Sequence, residues 1–384
     1  MITRLRVKNY LSLRDIDLEL GQRNVLVGPN MSGKSNLIDC FRFLTHMVSS
    51  GLSKAFLDRG GFSEVAWKGG EESRISFQVT GEDRETPQGH VQYDYEISVV
   101  GSPTGLISVE RERLETRIGD RVSTLIDLEN GHGRITRLDG SPAFESPGPS
   151  RSALEFTVPG WEGTAVRDFI TRWHFYHLIP SQMRQPNLAV GQQFLNEDGS
   201  NFSSWFMTLQ TGYPDAFRLI KQAATDVLPD IEEILIPPTQ FATTHMLTRE
   251  RHLKRPVTLW RMSDGELMFL AWVSLILAPE AFGAPLFCAE EPENHLHPRL
   301  LETLVELHNQ RRQELGPKAA QVIITTHSPY LVDRMALDDL IVVEKKEGAT
   351  HCTRPASKGH LRELLEREEL GLGELWYSGA LGGS

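Results

Sequence analysis

Cysteine is scarce in this sequence: Cys40, Cys288 and Cys352 lie far apart, with no metal-ligand spacing. This scarcity excludes a disulfide framework or a cysteine-rich metal centre, and we expect a reduced, cytoplasmic protein. Long apolar runs are also missing, because the longest, from Leu267 to Ala278, falls short of the ~20 residues that span a bilayer. The first residues carry no apolar signal core. We therefore expect neither a secreted nor a membrane-embedded chain.

Positive charge is in the minority. Lys and Arg number 40 against 51 Asp and Glu, which gives a formal net charge of −11. This balance argues against a protein that coats nucleic acid indiscriminately, so any DNA contact must be local. With 40% hydrophobic residues, the chain can bury a sizeable core. Its 384 residues suffice for two domains, or for one large domain with an insertion.

The most informative stretch that is present is Gly28-Pro29-Asn30-Met31-Ser32-Gly33-Lys34-Ser35. An apolar run typical of a buried strand, residues 24–27, precedes it, and apolar residues at helical spacing, residues 36–44, follow it. The stretch is a G-x-x-x-x-G-K-[ST] phosphate loop in its strand, loop and helix context. A glycine-rich turn with an incidental Lys-Ser is the alternative. We favour a nucleotide phosphate site.

The residue types of this loop match the chemistry of phosphate binding. Gly28 and Gly33 allow backbone N–H groups to close around phosphate oxygens, and a helix that begins near Lys34 directs its unpaired N–H groups at the same anion. Lys34 can reach the β- and γ-phosphates, and the Ser35 hydroxyl can ligate Mg²⁺. The predicted nucleotide-binding residues of the loop are Gly28, Pro29, Asn30, Met31, Ser32, Gly33, Lys34, Ser35 and Asn36.

A second apolar strand, residues 286–289, ends in the paired carboxylates Glu290 and Glu291. P-loop enzymes place acids at this point of the sheet, next to the bound metal. We expect Glu290 to hold Mg²⁺, directly or through water, and Glu291 to orient and deprotonate the attacking water. An acidic turn after a core strand is the alternative.

A third apolar strand, residues 321–326, leads to His327, and Ser328-Pro329 is typical of an N-cap and first helical position. A lone histidine at a strand end is more often structural. This one follows the acid pair by one predicted helix, from Pro298 to about Gln313. We therefore predict that His327 senses the γ-phosphate.

Ser263 and Glu266 form an S-x-x-E capping box before an apolar helix. That box alone explains the pattern structurally. However, a capped helix end that also carries a glycine, Gly265, is a second anion-binding device in the same chain. One nucleotide does not obviously need two such devices.

Changes in the pattern of apolar and polar residues divide the chain into four parts. From residue 73, short alternating runs separated by Gly, Pro, Asp and Asn predict antiparallel strands, and after Trp161 apolar spacings of three and four predict helices. A charged helix is predicted near Leu361 to Leu370. The predicted parts are 1–72, the N-terminal part of the nucleotide-binding head; 73–160, an inserted antiparallel β lobe; 161–240, a helical insertion; and 241–384, the C-terminal part of the head.

Together these motifs resemble those of ABC-type ATPases of the RecF/SMC branch. The similarity is closest to the compact prokaryotic RecF-like, or AAA-21, group, which is related to the ATPase half of OLD-family nucleases. The segments that carry it are Walker A at 28–35, a signature-like segment at 262–266, Walker B at 290–291, a D-loop-like segment at 294–298 and a switch histidine within 325–329. Residues 5–13, 198–201 and 373–379 also resemble that group.

The resemblance implies an α/β fold that forms an ATPase head, with a mixed β-sheet that is discontinuous in sequence. It also implies ATP and Mg²⁺ as cofactors. It further implies a composite site in which two heads pack head to tail. Ser263 and Gly265 of one head would then touch the γ-phosphate held by Lys34 of the other. This arrangement explains why one chain carries two anion-binding helix ends.

The sequence departs from the family pattern at two positions and leaves a third open. Glu290 stands where aspartate is usual, and Asp264 replaces a common glycine. Candidates for the family's Q-loop glutamine are Gln182 and Gln185.

The function expected from this resemblance is Mg²⁺-dependent ATP hydrolysis by heads that dimerise, or assemble further, around ATP. A sensor ATPase in phage defence, acting with a separate effector protein, is the first expectation. A recombination or repair ATPase that binds DNA ends or gaps is the second. A transporter subunit is disfavoured because a whole lobe lies between Lys34 and the acid pair, and a non-hydrolysing module is disfavoured by Glu291.

Overall fold

The structure, a computed structural model, describes residues 1–70, 73–86, 89–101, 105–279, 282, 284–355 and 371–377. The charged helix predicted near Leu361 to Leu370 lies outside these residues, as does the end of the glycine-rich C-terminal segment.

One of the two large sheets is antiparallel. Its strands within the described residues are β1 (Ile2–Tyr10), β2 (Leu13–Glu19), β4 (Arg74–Thr86), β5 (Gly89–Gly101), β6 (Ile107–Ile118), β7 (Arg121–Glu129) and β8 (His132–Ile135), in the order β2-β1-β4-β5-β6-β7-β8. The strands predicted as an inserted β lobe thus continue the sheet that β1 and β2 begin, and they share a hydrophobic core with these two strands. The boundaries of an insertion stay a prediction.

The other large sheet is mainly parallel. Its strands within the described ranges are β3 (Arg23–Val27), β9 (Trp173–Tyr176), β15 (Leu286–Glu290), β16 (Gln321–Thr326), β17 (Leu340–Lys346) and β18 (Ala349–Thr353), in the order β18-β17-β3-β16-β15-β9. Only β18 runs antiparallel to its neighbour among these strands. Strand β9 lies inside the segment predicted to be helical, and it forms one edge of this sheet.

Shorter strands and the helices complete the described part of the chain. The shorter strands are β10 (Asn187–Leu188), β11 (Ile231–Leu235), β12 (Thr243–Thr244), β13 (Leu247–Glu250) and β14 (Val257–Thr258). The helices are α1 (Lys34–Ser50), α2 (Leu52–Leu57), α3 (Phe62–Val65), α4 (Gly163–Thr171), α5 (Pro180–Met183), α6 (Phe202–Gly212), α7 (Pro214–Val227), α8 (Asp264–Ile276), α9 (Pro298–Leu315), α10 (Pro329–Asp333) and α11 (Leu372–Tyr377). None of these helices combines the length and the apolar character needed to cross a membrane.

Helix α1 packs between the two large sheets. Its buried side chains, such as Phe41 and Leu44, share one core with the antiparallel sheet and with Cys288 and Ile323 of the parallel sheet. Helices α8, α9 and α10 cover the opposite face of the parallel sheet, where alternate strand residues such as Val25 point. Burial of each Leu or Phe side chain stabilises the folded state by about 1.5–3 kcal/mol. The packing of these layers therefore holds the start of α1 against the parallel sheet.

The side chain of Gln321 links the two large sheets. It accepts a hydrogen bond from the backbone N–H of Ile2 at 2.8 Å and donates one to the Ile2 carbonyl at 2.7 Å. Because Gln321 is buried, both bonds are shielded from water. The first strand of the chain is thereby tied to β16, one of the strands that lead to the candidate site.

Candidate nucleotide site

Neighbouring parallel strands bring the predicted site residues to one edge of the sheet. Val27 at the end of β3 pairs with Thr326 at the end of β16, so the phosphate loop and His327 begin side by side. Glu290 ends β15 on the other side of β16, and Glu291 follows it. Ligands of open α/β sheets bind at the carboxyl ends of strands such as these.

Both glycines of the phosphate loop are required by close packing within the chain. Gly33 has φ = +107°, and a Cβ there would lie 2.0 Å from Oγ1 of Thr350. A Cβ at Gly28 would lie 2.1 Å from the carbonyl oxygen of Val343. The sequence assigned these glycines to the approach of the phosphate or to the turn itself. The structure adds that they let the loop sit against β17 and β18.

A small hydrogen-bond network holds the loop from both ends of the chain. Thr350 Oγ1 donates to the Ser32 carbonyl at 3.0 Å and lies 2.6 Å from Ser12 Oγ. The Asn36 amide donates to Ser12 Oγ at 2.6 Å, so this predicted nucleotide residue is engaged inside the protein. The buried Ser32 hydroxyl has no hydrogen-bond partner among the described residues. An oxygen of a bound phosphate would supply one.

The Lys34 ammonium is buried at the start of α1. Its Nζ donates to the carbonyls of Gly28 at 2.9 Å and Pro29 at 3.0 Å. Burial lowers the pKa of Lys34 to about 8, against the opposing effect of the Glu291 and Glu293 carboxylates. A buried cation bonded to neutral carbonyls is stabilised by any anion that reaches it, so the site favours a phosphate.

Glu291 and His327 contact each other. His327 Nε2 lies 3.4 Å from Oε1 of Glu291, and the Asn294 amide donates to Oε2 of Glu291 at 2.8 Å. Burial and the Lys34 charge lower the pKa of His327. The imidazole is therefore mostly neutral at pH 7, with one nitrogen able to donate and the other able to accept.

Glu293 is a site residue that the sequence analysis did not single out. Its Oε1 accepts hydrogen bonds from Thr326 Oγ1 at 2.6 Å and from the backbone N–H of His327 at 2.9 Å. Its Oε2 is buried and has no hydrogen-bond partner in the described part of the chain. The signal that could have identified it in the sequence is that it is the third acidic residue of the stretch 290–293, Glu-Glu-Pro-Glu. Glu293 fixes the backbone that presents His327.

Glu290 is held by an ion pair. Its Oε1 accepts from Arg42 Nη2 at 2.9 Å, and Arg42 also pairs with Glu197. Serine hydroxyls and carboxylates are the hard oxygen ligands that Mg²⁺ prefers, so Ser35 at the start of α1 and Glu290 fit such an ion. Across the described residues, no group of three or more His, Cys, Asp or Glu could hold a metal. A cation here would depend on phosphate oxygens as further ligands.

Ser263 is exposed at the amino terminus of α8. The predicted capping box is confirmed: Ser263 Oγ accepts from the Glu266 N–H at 3.2 Å, and Glu266 Oε2 accepts from the Ser263 N–H at 2.7 Å. Because the hydroxyl oxygen accepts in this box, its hydrogen remains available to donate outward. A second molecule can reach this helix end.

The signature-like and D-loop-like segments contact each other within one chain. A Cβ at Gly265 would lie 2.9 Å from the His295 carbonyl oxygen, so glycine permits this close approach. Asp264 lies between the Arg184 guanidinium and the His295 imidazole: Arg184 Nη2 is 2.7 Å from its Oδ1, and His295 Nδ1 is 3.6 Å from its Oδ2.

The Q-loop assignment stays a prediction. Gln182 and Gln185 are both exposed, in and directly after α5. Neither side chain forms a hydrogen bond to another described residue. In the D-loop-like segment, His297 accepts from the Arg299 N–H at 3.3 Å and thereby caps α9, which is a structural role.

Fold and site together define a P-loop protein of the ABC type, whose fold is similar to that of SMC head domains. An SMC head bound to the C-winged helix domain of ScpA matches with a TM-score of 0.58 and 14% identity, covering 92% of this chain and 97% of that one. The Smc head with an extended coiled coil, bound to the C-terminal domain of ScpA and derived from Pyrococcus furiosus, matches with a TM-score of 0.55 and 12% identity, covering 96% and 99%. At these identities the likeness establishes the fold alone.

The family is established by sequence. The family described as "AAA domain, putative AbiEii toxin, Type IV TA system" matches residues 23–333, and the chain belongs to it. Comparison with curated proteins finds no match.

Proposed function

We propose that this protein is a Mg²⁺-dependent ATPase whose active site is composed of residues from two copies of the chain. The observation that carries the proposal is the convergence of Lys34, Glu291 and His327. Glu291 contacts His327 and acts electrostatically on Lys34, and the Lys34 charge adds to burial in lowering the pKa of His327. Membership of an AAA family supports an ATPase-type function.

Each of these residues has one step in hydrolysis. A water molecule attacks the γ-phosphorus while the bond to the bridging oxygen of the β-phosphate breaks, and ADP leaves with that electron pair. Glu291 accepts the proton of the water. Lys34 exchanges its carbonyl partners for phosphate oxygens, and neutral His327 donates a hydrogen bond to the γ-phosphate. A Mg²⁺ held by Ser35 and Glu290 would neutralise charge that develops on the phosphates.

The second copy of the chain completes the site in this proposal. The Ser263 hydroxyl is exposed at the amino terminus of α8, it accepts from the Glu266 N–H, and its hydrogen is free to donate. A helix end of this kind binds anions. We place Ser263 and Gly265 of one copy against the γ-phosphate held by Lys34 of the other.

For the cellular role, we propose a cytoplasmic switch ATPase that acts with a separate effector protein in phage defence. The description of the family, which names a toxin of a type IV toxin–antitoxin system, supports a role of this class. This role is tested by purifying the chain from its native host with and without ATP. We expect a stoichiometric partner protein, encoded next to the gene, to be recovered only when ATP is present. A chain that is recovered alone in every nucleotide state would contradict it.

Hydrolysis is tested by phosphate release from purified protein. We expect turnover that requires Mg²⁺ and that Lys34→Ala abolishes. Arg218→Gln on α7, which removes an exposed charge paired with Asp215, should retain full turnover. Equal rates in the wild type and in Lys34→Ala would remove this site from the proposal.

A basic turn favours a second candidate, a recombination or repair ATPase that binds DNA. Residues 251–256 connect β13 to β14 and are exposed. Arg251 lies 3.6 Å from Glu232, whereas Lys254 and Arg255 form no ion pair within the described residues. On a chain of net charge −11, such a turn is the kind of local contact that phosphodiester backbones require.

Salt-dependent binding separates this candidate from the first. We expect duplex DNA affinity to fall steeply with rising salt, and to fall further in Lys254→Gln/Arg255→Gln. The matched control is Lys54→Gln/Lys68→Gln, which removes two exposed lysines already paired with Asp58 and Glu64. Equal losses in the two double variants would mean that the basic turn has no special role.

A further inference from the structure

The amino terminus of α8 carries a negative charge where the proposed site needs to receive an anion. Asp264 is the first residue of α8 and directly follows Ser263. Its side chain is 44% exposed. A carboxylate in the first turn stabilises the helix itself, but it repels a triphosphate that approaches the same end. Another group must offset this repulsion.

Arg184 is placed to do so. Its Nη2 lies 2.7 Å from Asp264 Oδ1, and the same nitrogen donates to the Met262 carbonyl at 2.7 Å. One guanidinium therefore offsets the carboxylate and also fixes the backbone directly before Ser263. The Arg184 side chain is only 22% exposed, which strengthens a charge-assisted contact relative to one in open water.

We propose that Arg184 is a positioning residue of the signature-like segment. It neutralises Asp264, so that the end of α8 can accept the γ-phosphate held by the second copy, and it does not itself touch the phosphate. This inference rests on the proposed composite site. It also accounts for a departure in the sequence: a glycine at position 264 would need no such partner, and Asp264 creates the need.

A double-mutant cycle tests this role. Arg184→Gln leaves Asp264 with only the His295 imidazole, whose Nδ1 lies 3.6 Å from its Oδ2, and we expect kcat to fall about tenfold or more while the affinity of the isolated chain for ATP stays within about twofold. Asp264→Asn alone should change kcat little. Arg184→Gln/Asp264→Asn should recover kcat to within about threefold of the wild type, because no charge then needs an offset.

Two results of these measurements would overturn the inference. If Arg184 touched the phosphate, or acted only through the Met262 carbonyl, the double variant would stay as slow as Arg184→Gln. Arg184→Lys retains the charge and should keep kcat within about threefold. If Arg184→Lys is as slow as Arg184→Gln although both melt like the wild type, charge is not the reason.

Failure of this inference can be distinguished from failure of the proposed function. If wild-type turnover is absent, or is unaffected by Ser263→Arg, the composite site itself fails. If both of those results support the site but the double variant is not rescued, only the role of Arg184 is wrong. Asp215→Asn, on an exposed carboxylate of α7 paired with Arg218, controls for the loss of a negative charge.

Discussion

Nε2 of His327 lies 3.4 Å from Oε1 of Glu291 at the edge where β16 and β15 end. Each partner is held by a third group. Glu293 accepts from the His327 backbone N–H at 2.9 Å, and Asn294 donates to the other Glu291 oxygen at 2.8 Å. The proposed base and the proposed phosphate sensor are therefore held in place by other groups of the protein, which reduces the reorganisation required at the moment of reaction.

Glu291→Gln keeps the shape of the side chain and removes its basicity. We expect ATP binding to persist, kcat to fall by about 10²–10⁴, and an ATP-dependent dimer to accumulate, as measured by phosphate release and size-exclusion chromatography. Glu302→Gln on α9, a carboxylate paired with Arg334, is the matched control. Unaltered turnover in Glu291→Gln would remove Glu291 from the mechanism.

The lowered pKa of Lys34 predicts the alkaline limit of activity. Lys34 in the free protein loses its charge at a pKa of about 8. A bound phosphate raises that pKa, so binding takes up a proton above pH 8 and affinity for ATP weakens as the pH rises. We expect kcat/KM to decline with an apparent pKa near 8. A profile that stays flat to pH 10 would contradict this account.

His327→Ala should separate binding from chemistry. Because the imidazole is a hydrogen-bond donor in this account, its removal should lower kcat by about 10² and leave ATP affinity nearly unchanged. The pKa of His327 is lowered, so its protonation should affect turnover only below the usual histidine range. An acid limb above pH 7 that disappears in His327→Ala would show that a charged imidazole is the active form.

Gly33→Ala tests the packing of the phosphate loop. Alanine at φ = +107° costs about 1 kcal/mol, and its Cβ would also collide with Thr350. Gly140→Ala is the control, because Gly140 also has a positive φ, +86°, and nothing within 4 Å of its Cβ position. Thermal unfolding should therefore show a larger loss for Gly33→Ala. Equal losses would mean that contact with β18 is unimportant.

The features that the sequence predicts well are local. The phosphate loop, the Ser263 capping box and the Ser328 N-cap each depend on residues a few positions apart, and the structure places them in the expected strand, loop and helix contexts. Capping and glycine preferences are properties of short segments, so they can be inferred without tertiary information.

Several features that depend on distant pairing were not predicted. Strand β9 has only four residues, too few for a clear periodic pattern, and its pairing with β15 joins Trp173 to Leu286. Contacts such as Arg42 with Glu290 and Ser12 with Thr350 join residues more than 200 positions apart. Local periodicity carries no information about such pairs, which the topology of the sheet determines.

Mixing two inactive variants tests the composite site most directly. Lys34→Ala lacks the phosphate contact and Ser263→Arg blocks the signature-like helix end, so each should be inactive alone. In an equal mixture, half of the dimers are mixed, and each mixed dimer contains one complete site. Under two-fold symmetry we expect about a quarter of wild-type turnover. A mixture as inactive as either variant alone would contradict a site shared between two copies.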